Sequence, residues 1–140
     1  MLGVDLGDVR IGLALSDPDA TVATPLATLH VADADDPASI VDRLVAVAQR
    51  EGAGTVVVGL PRALSGREGR PAQRAREVAR LLAEHGLDVD LRDERFTTVE
   101  AERVMLAQRV RRRERRQAVD RVAATLLLQT YLDARRSESR

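Results

Sequence analysis

Cysteine, tryptophan and lysine are absent from this 140-residue chain, and Phe96 and Tyr131 are its only aromatic residues. Without cysteine there is no disulfide framework, no thiolate nucleophile and no zinc site of the cysteine type. Two aromatics are too few for the stacking platforms with which RRM and OB modules hold single strands. No apolar run approaches the roughly 20 residues needed to cross a bilayer. The first residues also lack the basic-then-apolar order of a secretory signal. A cytoplasmic protein without a membrane partner is the expectation.

What is present is 44% hydrophobic and 31% charged, enough for one core and a single domain over residues 1–140. All 22 basic residues are arginine, and they balance 22 acids to a formal charge of zero. The balance is an average. Residues 1–70 carry 6 arginines against 10 acids, net −4, while residues 71–140 carry 16 against 12, net +4. Such asymmetry points weakly to a polyanionic partner. The use of arginine alone is equally a genomic codon preference, so the count decides little by itself.

Residues 2–6 alternate (Leu-Gly-Val-Asp-Leu), and Gly7-Asp8-Val9 is a turn signal before a second strand, Ile11 to Leu15. A β-hairpin therefore opens the chain. Thr24 to Val31 offers a third strand, weakened by Pro25. The period then changes. Asp36 before Pro37 is an N-cap followed by proline at the first helical position, and Ile40, Val41, Leu44, Val45 and Ala48 line one face up to Gly52. The apolar run Thr55 to Gly59 reads as a strand buried on both faces. Pro71 opens a helix through Val78, Ala79 and Leu82 to Gly86, and Val89 to Glu94 is a fifth strand. Thr97 and Glu100 form a capping box that starts a third helix. A last helix covers about Arg115 to Ala134, with Val119, Val122, Ala123, Leu126, Thr130 and Tyr131 inward. The order βββαβαβαα predicts an α/β fold, a mixed five-stranded sheet with helices packed on it.

Three carboxylates stand out. Asp5 shares a strand face with Gly3 and Gly7, opposite Leu2, Val4 and Leu6. A carboxylate inside a central strand is costly unless protonated, hydrogen-bonded or bound to a cation, and the glycines leave room beside it. The structural alternative is an aspartate that serves its own hairpin turn. Glu94, in Asp93-Glu94-Arg95, ends the fifth strand, where ligand sites gather in open α/β sheets; taken alone, a charged strand end is more often a solvated edge. Asp120 lies beside the apolar stripe of the last helix, where complementing the helix dipole is as good an account of it.

On separate elements of one small sheet, these three are what hard divalent cations such as Mg²⁺ require. Two such ions can activate a water and stabilise the leaving oxygen of a phosphodiester. Competing chemistries lack their parts. His30 and His85 have no zinc-type spacing, and Gly66-Arg67-Glu68-Gly69-Arg70 lacks the Lys-Ser/Thr ending of a P-loop. Arg109, Arg111, Arg112, Arg113, Arg115 and Arg116 fall within eight residues, countered only by Glu114. Most charge runs are merely solvated. Next to Asp120, this one is a candidate arm for gripping phosphates without reading bases.

The sequence resembles the YqgF (RuvX) family of RNase H-like nucleases over nearly its whole length. The resemblance rests on Gly3-Val4-Asp5-Leu6-Gly7 with Arg10-Ile11-Gly12 and Ser16-Asp17, and on Val57-Val58-Gly59-Leu60-Pro61 with Gly66. It continues in Asp93-Glu94-Arg95-Phe96-Thr97-Thr98 and in Asp120 with Ala123-Ala124 and Leu128-Gln129. Each segment is weak alone; four in order are specific. Departures fall at Asp8 and Val9, where many relatives have a small or hydroxyl residue and a basic one. The resemblance implies an RNase H-like fold, with Asp5, Glu94 and Asp120 as the catalytic, metal-holding acids. It also implies Arg10, Arg95 and Thr97 as substrate-facing residues and Mg²⁺ or Mn²⁺ as cofactor.

The expected function is a metal-dependent nuclease for structured nucleic acid, processing the 5′ end of the 16S rRNA precursor. The partners are then an rRNA precursor or branched DNA, with the protein a monomer or homodimer. One alternative is a resolvase of four-way DNA junctions, which would act as a symmetric pair. Another is a non-catalytic RNA or transcription-complex module that uses only the arginines.

Overall fold

A computed structural model describes residues 1–7, 9–31, 36–61, 69–93 and 112–138. The elements are β1 (Leu2–Leu6), β2 (Arg10–Ser16), β3 (Ala23–His30), α1 (Pro37–Glu51), β4 (Thr55–Leu60), α2 (Arg70–Glu84), β5 (Asp88–Asp93) and α3 (Arg112–Glu138). The sheet order is β3-β2-β1-β4-β5. The β1–β2 and β2–β3 pairs are antiparallel, and β1–β4 and β4–β5 are parallel. This is the mixed five-stranded sheet expected from the sequence. The helix expected from Thr97 lies outside the described residues.

The alternation of β1 decides how the layers form. Leu2, Val4 and Leu6 point into a core shared with Ile11, Leu13, Val56 and Val58 and covered by α1 and α2. Asp36 caps α1 by accepting from the Ser39 amide at 3.4 Å, Pro37 opens the helix, and Gly52 ends it, as the pattern requires. Val56, Val57 and Val58 are all fully buried, which follows from helices on both sides of β4. Pro25 is tolerated because β3 is an edge strand. The β2–β3 register also shifts after Leu13, which pairs with Ala27 while Ala14 pairs with Pro25.

The opposite face belongs to α3, and here the structure corrects the sequence reading. The helix runs from Arg112 to Glu138 rather than about Arg115 to Ala134. Its buried residues are Ala123, Ala124, Leu127, Leu128, Tyr131 and Leu132. Thr130, expected inward, is exposed, and Val122 and Leu126 are only half-buried; the side chain of Val119 lies outside those described. The cause is Gly3. A Cβ on Gly3 would stand 2.9 Å from Leu128 Cβ and 3.1 Å from the Ala124 carbonyl oxygen. The helix settles with its 124/128 line over the one position of β1 that has no side chain, which turns the buried stripe by about one residue.

Gln129 ties α3 to the segment before β3. Its Oε1 accepts from the Ala23 amide at 2.9 Å, and its Nε2 donates to the Thr21 carbonyl at 3.0 Å. Within the same loop, Asp17 accepts from the Thr21 hydroxyl at 2.6 Å and from the Thr21 and Val22 amides at 2.7 and 3.0 Å. The Thr21 hydroxyl, followed by those amides, holds its carboxyl well below the ordinary range, at about 2. Gln129→Ala leaves a part-buried amide and a carbonyl without their partner. The expected loss is about 1–3 kcal/mol of stability, read as a lower urea midpoint at unchanged m.

Candidate active site

At the C-terminal end of β1 the chain turns through Gly7 into β2. The Gly7 amide donates to the Arg10 carbonyl at 2.8 Å. A Cβ on Gly7 would sit 2.5 Å from that same oxygen, so the turn admits only glycine there. Asp5, two residues earlier, is half-buried rather than fully enclosed. It lies on the α3 face, in register with Gly12 of β2, which in turn pairs with Thr28 of β3. Gly12 contributes no side chain beside Asp5, and the place a Gly3 side chain would take is filled by Leu128 and the Ala124 carbonyl of α3. Arg10 follows the same alternation onto that face.

The direction of α3 relates Asp120 to this row. Ala124 stands at Gly3, and Arg135 reaches the Met1 sulfur at 3.8 Å, so α3 runs antiparallel to β1. The N-terminal part of α3 therefore points toward the Asp5 end of β1. Arg121 gives independent support, since its Nη1 donates to Thr28 Oγ1 at 3.4 Å and Thr28 belongs to the Asp5–Gly12 row.

The remaining sequence-derived candidates divide in two. Glu94 directly follows Asp93, the last residue of β5, and lies outside the described residues, as do Arg95, Thr97, Arg109 and Arg111. Arg112, Arg113, Arg115 and Arg116 belong to the first turns of α3, so two-thirds of the expected arm is helix backbone, consistent with arginine as a good helix former. His85 is satisfied by the Leu81 carbonyl at 2.9 Å, and His30 is exposed. Among the described residues no group of three or more Asp, Glu, His or Cys is placed to hold a metal. The oxygen donor of Asp5 nonetheless suits a hard divalent ion. Further along the α3 face, Arg92 reaches Asp90 at 3.3 Å and stacks 4.8 Å from the Tyr131 ring.

One residue of interest escapes sequence reasoning. Arg74 of α2 donates from Nη1 to the Gly7 carbonyl at 2.7 Å. The only sequence signal for it is an arginine at the margin of a buried stripe, one residue before Ala75 and four before Val78.

An antiparallel three-stranded meander continued in parallel by two strands, with helices on both faces, is the RNase H-like fold. The solved structure "T. thermophilus RuvC in complex with Holliday junction substrate" shares this fold with a TM-score of 0.60 at 19% identity, over 98% of this chain and 96% of that one. In sequence, the family described as "RuvX: Holliday junction resolvase" matches residues 1–134. A protein of Mycolicibacterium paratuberculosis named "Putative pre-16S rRNA nuclease" is 45% identical over 141 residues, covering 99% of this chain and 83% of that protein. One of the same name from Pelotomaculum thermopropionicum is 43% identical over 135 residues, covering 96% and 86%. This chain belongs to the RuvX family.

Proposed function

We infer that the protein is a nuclease that hydrolyses phosphodiester bonds in structured nucleic acid, with the 5′ end of the 16S rRNA precursor as its substrate. The observation that carries this reading is the half-buried Asp5 on the α3 face of the central strand, in register with Gly12. A half-buried carboxylate on a central strand is suited to holding a cation against a substrate phosphate. The names carried by the relatives at 43–45% identity support RNA as that substrate.

Asp5, Glu94 and Asp120 would hold Mg²⁺ or Mn²⁺. When bound, such ions activate water and offset charge on the leaving oxygen. The chain's own residues do the rest. The three carboxylates supply oxygen ligands from separate elements, so the site is complete only when β1, the end of β5 and α3 are assembled. Arg109, Arg111, Arg112, Arg113, Arg115 and Arg116 bind backbone phosphates without reading bases, while Arg10, Arg95 and Thr97 orient the strand at the acids. Acting on ribosomal precursor places the enzyme in the cytoplasm. No helix among the described residues is long and apolar enough to cross a membrane.

A second reading, resolution of four-way DNA junctions, is favoured by the description of the family itself. It is chemically the same reaction on another polyanion. The two separate when labelled precursor rRNA and a four-way junction are offered in competition with and without Mg²⁺. Metal-dependent trimming of the RNA with the junction left intact is the expected result. Paired incisions in the junction by a dimer would support the resolvase. Binding of either without cleavage would leave a nucleic-acid-binding module.

A further inference from the structure

Arg74 does more than the one hydrogen bond it makes among the described residues requires. It projects from α2, whose Ala72, Ala75, Val78 and Leu82 pack in the core on the face opposite α3. It reaches the end of β1 to donate to the Gly7 carbonyl at 2.7 Å. Its Nε and Nη2 are buried and find no hydrogen-bond partner among the described residues. Burying guanidinium donors is costly unless they are satisfied, and a neutral donor could hold one carbonyl at lower desolvation cost. The carbonyl it holds is a special one. Gly7 is already tied through its amide to Arg10, and the turn leaves no space for a side chain. The next residues fix the end of β3 as well, since the Val31 amide, just past His30, donates to the Val9 carbonyl at 2.9 Å.

We propose that Arg74 is a positioning residue of the nuclease site. From the far helical layer it fixes the β1–β2 turn, and through that turn the setting of Asp5 and Arg10. Its charge has a use beyond the bond. A partly buried cation near the C-terminal end of β1 offsets the negative charge of Asp5, on the same strand, before any metal arrives. The inference rests on the nuclease reading, but its first readout does not.

The test compares the parent with Arg74→Ala, with Arg74→Lys, and with Arg74→Met, which keeps the apolar stem should alanine fail to fold. Three quantities are measured: amide hydrogen exchange at Gly7 and Val31, affinity for Mn²⁺ alone by calorimetry, and kcat and KM on precursor RNA. In the Ala and Met variants the turn amides exchange faster. Mn²⁺ affinity and kcat fall by roughly 10- to 100-fold with KM unchanged, as for residues that orient metal ligands. Lysine, which keeps charge and a donor, restores most of the loss. Turn exchange and Mn²⁺ affinity as in the parent in both variants would overturn the proposal. So would a loss confined to KM with a salt slope shallower by about one, the behaviour of a phosphate contact. If Asp5→Asn binds Mn²⁺ as tightly as the parent, the nuclease reading fails instead, and exchange at the turn still decides what Arg74 holds.

Discussion

Asparagine in place of Asp5 is expected to leave a folded protein whose kcat/KM on precursor RNA is about three orders of magnitude lower, equivalent to about 4 kcal/mol of lost charge stabilisation. The substitution keeps shape and volume and removes only the negative charge. Asp5 is half-buried, and its strand neighbours Val4 and Leu6 pack into the opposite core, so nothing in the core is disturbed. The urea midpoint is expected to stay close to that of the parent, as for a residue kept for its site rather than for stability. Asp90→Asn is the control. By register it lies on the same sheet face, two strands away, and Arg92 engages it at 3.3 Å; its loss changes cleavage by no more than about the few-fold effect of an exposed pair worth up to ~1 kcal/mol. Equal cleavage by Asp5→Asn and the parent would remove the metal-dependent mechanism. Equal losses in both aspartate variants would point to overall charge rather than to a site.

The sequence was most legible where a short period had a single partner surface. The alternation of residues 2–6 identified both faces of β1, and with them the anomaly of a carboxylate among glycines, because strand parity is a local property. The same holds for the Asp36-Pro37 start of α1 and the continuous valines of β4. The face of α3 was less legible. Val122, Ala123, Ala124, Leu126, Leu127 and Leu128 surround much of the helix circumference, so periodicity alone leaves its rotation undetermined within one residue. What determines it is the absent side chain of Gly3, more than a hundred positions away. Gly12 as the gap beside Asp5 and Arg74 as the tie on Gly7 were likewise invisible, since each matters only through pairing across strands or layers. Asp120 was readable as one acid on an apolar helix, and the antiparallel course of α3, which turns that end of the helix toward the Asp5 end of β1 and on which the proposed pairing of the two acids depends, was not.

That relation makes Gly3 the position whose substitution should uncouple stability from activity. An alanine there places its Cβ 2.9 Å from Leu128 Cβ and 3.1 Å from the Ala124 carbonyl oxygen. Neither contact is the far end of a flexible side chain, so rotamer changes cannot relieve them and α3 itself must move. Overpacking of this kind costs about 1–3 kcal/mol, against a gain of about 0.4–1 kcal/mol from the stiffer unfolded chain. Gly3→Ala is therefore expected to be destabilised by about 1–2 kcal/mol and to remain folded, with Gly3→Val worse. The activity loss is expected to be larger than that number suggests. Lifting α3 from β1 separates position 120 from Asp5, and a displacement of up to about 1 Å in a positioned group costs as much as about 100-fold in rate. Gly54→Ala supplies the contrast, because a Cβ there meets nothing within 4 Å; it should be neutral or stabilising by up to about 1 kcal/mol with cleavage unchanged. Urea midpoints and kcat measured on the same three proteins decide the matter. A Gly3→Ala protein that loses stability but cleaves at the parent rate would mean that the spacing between α3 and β1 does not set the chemistry, and that Asp120 acts from the helix without needing Asp5 beside it.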